Sequence, residues 1–158
     1  MKGNEKITAS LNGLLAEELT AINQYMVHSE MSDNWGYEKL HKAFEKQAVD
    51  EMHHAEWLIA RILFLEGMPE VSKLNPMHIG KAVPEMVRND GQSELDAIRS
   101  YNEAITLAHE VKDQGTVELL MRILKDEERH RDWAEAQQDQ MGQMGLENYL
   151  ANQTQGAA

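Results

Sequence analysis

The chain has 158 residues, 42% of them apolar, and a formal net charge of −12, which suits one domain with a sizeable core. The acidic balance argues against a nucleic-acid partner bound through a basic face and fits attraction of cations. No apolar run approaches the roughly 18 residues of a membrane helix, MKGNEKITAS has no apolar run of the kind a secretory signal needs, and the lack of cysteine excludes a disulfide framework or a thiolate metal site.

Helix is expected almost throughout, because alternating strand patterns are absent and β-branched residues are sparse. Breakers punctuate the chain at Asn34–Trp35–Gly36, at Gly67 through Asn75–Pro76 to Gly80, at Asp113–Gln114–Gly115 and from Met141–Gly142 to Gly145. Between them run four amphipathic segments with steps of three and four. The first carries Leu11, Leu15, Glu18, Ile22 and Tyr25 on its seam; the second carries Phe44, Gln47, Glu51, His54 and Leu58. The third carries Val83, Val87, Asp90, Glu94, Ala97 and Tyr101; the fourth carries Leu120, Ile123, Glu127, His130 and Ala134. A short fifth helix follows near Leu146–Asn152, and the tail from about residue 153 to 158 is expected to be flexible.

Loop lengths set direction. Short turns after the first and third helices make each pair antiparallel. A helix of ~28 residues is ~42 Å long, and the linker from Gly67 to about Lys81 reaches ~50 Å when extended. It can therefore run the length of a bundle and leave the second and third helices parallel. The expected fold is all-α: a four-helix bundle of two hairpins with one long crossover and a short C-terminal fifth helix, in a single domain over 1–158.

Each seam holds a carboxylate where leucine would be expected: Glu18, Glu51, Glu94 and Glu127. A buried carboxylate must be paired, protonated or metal-bound. Glu51 to His54 and Glu127 to His130 both read Glu-x-x-His, a spacing that puts both side chains on one helix face. Glu18 precedes Glu51 by 33 residues, and Glu94 precedes Glu127 by 33. Two half-sites of one pattern would supply four carboxylates and two imidazoles, enough to neutralise two divalent ions. Such bundles are a known setting for dinuclear carboxylate centres. Oxygen and imidazole donors favour iron or manganese over thiophilic ions, and zinc more often takes fewer carboxylates.

The chain as a whole resembles a bacterioferritin, from MKG and ELTAINQY through ARILFLEG and LKDEERH to MGLENYL. The resemblance implies a ferroxidase that oxidises Fe(II) with oxygen or hydrogen peroxide and stores ferric mineral inside a cytoplasmic, 24-subunit homo-oligomer built from dimers. Glu18, Glu51, His54, Glu94, Glu127 and His130 would hold two iron ions per subunit, with Glu51 and Glu127 bridging. Met52 lies about 100° round its helix from Glu51 and off the seam. As a residue it reads as an adaptable apolar contact; by the resemblance it ligates haem b, shared between two subunits. A ferredoxin-type electron donor for iron release is also implied, with no nucleic acid and no membrane as partners.

Tyr25 and Trp133 resemble family aromatics that handle electrons, and read as residues they are core packing. Trp35 either lines the haem pocket or caps the bundle, and Asp50 is expected to face the storage cavity and help iron in. His28, His41, His53, His78 and His109 are expected on helix surfaces. Lys46 and Gln47 depart from the His and Glu of some relatives, and Leu58 stands where some have tyrosine. Two other readings stand beside the ferroxidase. A rubrerythrin-like di-iron peroxidase would want a cysteine-ligated iron domain, and a haem-carrying shell without turnover would not need the full ligand set.

Overall fold

The computed structural model describes residues 1–154; the expected tail falls largely on 155–158, outside the described residues. Among the described residues five helices follow one another: α1 (Glu5–Asn34), α2 (Glu38–Phe64), α3 (Val83–Glu110), α4 (Gln114–Met144) and α5 (Leu146–Gln153). No strand occurs among the described residues. No helix of the structure is long and apolar enough to cross a membrane.

Local chemistry explains the ends. The Asn4 side chain accepts from the Lys6 amide at the start of α1, and Asp113 accepts from the Thr116 amide at the start of α4, each satisfying a donor the helix leaves free. Pro84 sits in the first turn of α3, where its missing N–H costs nothing. Gly36 turns α1 into α2 at φ 80°, and Gly145 separates α4 from α5 at φ 82°, a region glycine enters without strain. Two expected breaks shift. Gln114 and Gly115 already belong to α4, behind the Asp113 cap, and Met141 and Gly142 lie within it, so Gly145 alone ends the helix. α5 reaches Gln153, one residue past its expected end.

Side-chain pairs fix the helix directions. His41 meets Ser29 while the Gly3 amide bonds Leu65, so α1 and α2 are antiparallel. Tyr25 meets Glu94 and Glu18 meets Tyr101, so α1 and α3 are antiparallel too. α2 and α3 are therefore parallel, as the crossover length demands, and lie on one diagonal of the bundle with α1 and α4 on the other.

Two apolar clusters fill the interior. Ile7, Leu11, Leu58, Ile62 and Leu120 pack at one end, and Leu40, Phe44, Val87, Met86 and Tyr149 at the other. Each fully buried Leu, Ile or Phe contributes about 2 kcal/mol. Between the clusters the seams turn polar.

Segment 65–82 runs along α1 and is pinned to it. The Asn12 side chain bonds the Met68 carbonyl and the Glu70 amide; Thr20 accepts from the Asn75 amide, Gln24 from His78 and His28 from Gly80. These α1 residues recur at multiples of four, which places them on one stripe.

Candidate metal centre

Each long helix delivers its seam carboxylate to the same level: Glu18 from α1, Glu51 from α2, Glu94 from α3 and Glu127 from α4, with His54 and His130 beside them. The four carboxylates are at most 1% exposed, His54 is fully buried and His130 is 5% exposed. Donor atoms of Glu18, Glu51, His54 and Glu127 lie within 4.8 Å of one another, and so do those of Glu51, Glu94, Glu127 and His130. The two groups share Glu51 and Glu127, so the donors could hold two ions side by side in one centre.

Hydrogen bonding does not account for these atoms. His54 Nδ1 lies 2.9 Å from Glu127 Oε1, 3.2 Å from Glu51 Oε1 and 3.4 Å from Glu18 Oε2, yet it is aligned for a hydrogen bond with none of them. Seven buried atoms here have no hydrogen-bond partner: Glu18 Oε2, Glu51 Oε1, His54 Nδ1, Glu94 Oε2, both oxygens of Glu127, and His130 Nδ1. Orphaned buried polar atoms are costly. Seven around one point are what a set of ion ligands looks like, and their oxygen and imidazole chemistry suits a hard divalent ion.

A second set of residues holds the first in place. His54 Nε2 meets Asp126 Oδ2 at 2.8 Å, and His130 Nε2 meets Asp50 Oδ2 at 3.0 Å. An imidazole tied to a carboxylate through one nitrogen offers the other to a metal. The Tyr25 hydroxyl donates to Glu94 Oε1 at 2.5 Å, and the Tyr101 hydroxyl donates to Glu18 Oε1 at 2.6 Å. All these residues pair at one offset of 76: Glu18 with Glu94, Tyr25 with Tyr101, Asp50 with Asp126, Glu51 with Glu127, and His54 with His130. Each half reads Glu, then Tyr seven residues on, then Asp-Glu-x-x-His.

The electrostatics follow from crowding acids away from water. Burial, then the charges of Glu18 and Glu94, push the Glu51 carboxyl well above its ordinary range; burial and the neighbouring glutamates do the same to Glu127. Burial opposes the charge on Glu94, but the His130 imidazole 3.3 Å away outweighs it and holds that carboxyl low. Burial likewise opposes a charged His54, but Glu127 and Glu18 win and push it up to about 10. His130 is raised against its own burial by Glu94 and Asp50. Burial and nearby carboxylates raise both tyrosines, which stay protonated donors.

A cavity of about 180 Å³ connects this centre with the surface. Its floor includes Glu18, Glu94 and Glu127, and its mouth includes Glu17, Asp96 and the crossover residues Asn75 and His78. Glu17 accepts from Ser100, and burial nonetheless pushes its carboxyl up to about 7. Asp50, its side chain 21% exposed, is bound to His130 and to Lys46, 3.1 Å away, a contact that orients the histidine.

The remaining sequence expectations fall as follows. Met52 is 44% exposed on α2, with Val49 one turn before it also exposed and exposed Met26 on α1. Trp35 is 40% exposed and packs edge-on to Tyr37. Trp133 stacks edge-on with Phe44, which neighbours Tyr25. Leu58 is core, and Gln47 is buried with an unpartnered Oε1. His53 is on the surface as expected. His28 is not: it is fully buried, its Nδ1 2.9 Å from Asp90 Oδ2, because Asp90 and the crossover supply the partners a buried imidazole needs. Asp126 and the bond of Tyr101 to Glu18 were missed by sequence reasoning, although the repeated Asp-Glu-x-x-His and Glu-to-Tyr spacings were there to be read.

Residues 8–154 match the ferritin-like domain. The chain is 42% identical over 154 residues to a bacterial ferritin of Synechocystis sp., covering 97% of this chain and 99% of that one. It is 39% identical over 149 residues to a bacterioferritin of Brucella melitensis, covering 94% and 92%. A bacterioferritin of Rhodobacter capsulatus is 40% identical over 149 residues, with 92% of each chain covered. Agreement of this extent over nearly the whole chain means that the chain belongs to the bacterioferritin family.

Proposed function

We propose that this chain is an iron-storage subunit with ferroxidase activity: it takes up Fe(II), oxidises it at the buried centre and passes ferric product to the interior of a 24-subunit shell. The observation that carries the reading is the pair of overlapping donor groups with seven unpartnered buried atoms. Glu51 and Glu127, common to both groups, would bridge the ions. Glu18 with His54 would complete one position, and Glu94 with His130 the other. Two Fe(II) give one electron each to oxygen or hydrogen peroxide. The hard, anionic donor set favours the Fe(III) product, and the cavity past Asn75 and His78 offers Fe(II) a way in from the surface.

Haem b is the second group in this reading. An exposed thioether at Met52, with exposed Val49 one turn before it on α2, offers an apolar ligand at the surface, which suits a macrocycle shared with a second copy. Bound there, haem would supply electrons to the stored mineral for release, with a ferredoxin-type protein as the donor.

Two measurements test this. With two Fe(II) per subunit and oxygen, ultraviolet absorbance should report fast Fe(III) formation, and Glu94→Ala should slow it by at least roughly 100-fold, beyond the usual cost of losing a mere supporting partner. Equal rates would remove the centre from the mechanism, and a small native oligomer would remove the shell. Haem added to Met52→Leu protein should give a visible spectrum without thioether ligation, and a spectrum identical to the parent's would rule Met52 out.

A further inference from the structure

The chain has four tyrosines, and their hydrogen bonds sort them. Tyr149 is fully buried and donates to Gln137 Oε1, a neutral amide. Tyr37, at the turn between α1 and α2, packs edge-on against Trp35. Tyr25 and Tyr101, 2% and 0% exposed, donate instead to carboxylates of the centre. The two are equivalent by the 76-residue offset, each bonding the terminal glutamate of the opposite half. In each glutamate the phenol takes Oε1, and Oε2 has no partner.

A buried phenol resists oxidation when its proton has nowhere to go, because a charged radical would be left in an apolar core. A carboxylate at 2.6 Å removes that obstacle: the proton moves along the hydrogen bond as the electron leaves. Tyr101 meets this condition through Glu18, as Tyr25 does through Glu94, and Tyr149 does not.

We propose that Tyr101 is a one-electron donor to oxygen, the counterpart of Tyr25 in the other half of the centre. This rests on the ferroxidase reading above. Reduction of one O2 to two waters takes four electrons and four protons. Two Fe(II) becoming two Fe(III) supply two electrons. Tyr25 and Tyr101 each lose one electron and become phenoxyl radicals, which supplies the other two. Their two protons pass by way of Glu94 and Glu18, and two more come from solvent. Two further Fe(II) then return an electron to each phenoxyl, which takes back a proton, and leave as Fe(III). Hydrogen peroxide needs only two electrons to give water, so with it the irons suffice and neither phenol is oxidised.

The test is freeze-quench electron paramagnetic resonance of protein loaded with two Fe(II) per subunit and mixed with oxygen. Ring-deuterated tyrosine identifies phenoxyl signals by their narrowing. Tyr101→Phe should lower the phenoxyl yield by roughly half or more, as for loss of one of two independent donors: a centre with one phenol completes the four-electron reduction only with one electron from a further Fe(II), and oxygen that finds none leaves as hydrogen peroxide, reduced by the two irons alone. Tyr25→Phe should keep the remainder, and the double variant should show none. Binding of two Co(II) per subunit, read from the visible spectrum, shows that the Tyr101→Phe centre is intact. If that binding fails, Tyr25→Phe decides alone: a surviving phenoxyl supports Tyr101, and its absence overturns it. An unchanged phenoxyl and peroxide yield in Tyr101→Phe also overturns it. Wild-type protein that does not oxidise Fe(II) would instead count against the ferroxidase reading.

Discussion

Asp126 and Asp50 decide what His54 and His130 do. By taking Nε2 they leave Nδ1 of each ring among the carboxylates. Without metal, that nitrogen holds a proton in the space an ion would fill. His54 binds its proton up to about pH 10 in the folded chain, against 6.5 in the unfolded one. Its stabilisation of the metal-free protein is therefore fully present below pH 6.5 and is lost as pH rises towards 10. Glu51 and Glu127, whose carboxyls are raised, act in the same direction from about pH 4.5 upward. Thermal melting of metal-free protein should thus fall steadily from pH 6.5 to 10; a flat or rising profile would refute the assignment. Because ions must displace these protons, binding Zn(II) near neutrality should acidify an unbuffered solution. The glutamates and histidines of the centre were legible in sequence because an acid on an apolar seam is an anomaly. Asp50 was singled out for the cavity rather than for His130, and Asp126 was passed over despite the repeated Asp-Glu-x-x-His, since an Asp one residue off the seam looks like any solvated surface acid.

At the scale of the element, α1 does two jobs. One stripe faces the core, and another, from Asn12 to His28, fastens the crossover. Gly80 N–H donates to His28 Nε2, so the ring's hydrogen is on Nδ1 and is donated to Asp90. Asp90 Oδ1 also accepts from Gln24. Replacing His28 by Ala removes a partner from a buried carboxylate and frees the Gly80 amide. A loss of about 3 kcal/mol is expected in denaturant unfolding; a change below about 0.5 kcal/mol, as for surface sites, would show that the clasp is idle. Helix existence, order and direction were legible from three-and-four periodicity and from breaker positions. The burial of His28 was not, because its partners lie 52 and 62 residues away. Nor did Gly142 act as a breaker, since one glycine in a long helix costs only about 1 kcal/mol.

The whole molecule is two similar hairpins facing one another across a centre that neither could build alone. The duplication is close around the centre and lapses away from it: the counterparts of Asp90 and His28 at the same offset are Leu14 and Ala104. The clasp exists on one side only, because only one side carries the crossover. All four helices place an acid in the middle, so ion binding should stiffen the bundle as a unit. Each site filled at a hundredfold excess over Kd should add about 2.7 kcal/mol, and melting temperature should climb with Zn(II) or Co(II) until two ions per chain are bound. Saturation at one ion would contradict the shared roles of Glu51 and Glu127.

The pinned crossover has a consequence for how such a chain can vary. Segments between helices usually absorb insertions and deletions freely. Here Asn75, His78 and Gly80 are held in register by side chains one helical turn apart, and a Cβ at Gly80 would come within 2.4 Å of the Met86 backbone nitrogen. Changing the length between Asn75 and Gly80 by one residue would unseat the whole ladder and redraw the mouth of the cavity. Drift in length should therefore be confined to the stretch between Glu70 and Asn75, leaving the ion's doorway as conserved in spacing as the helices themselves.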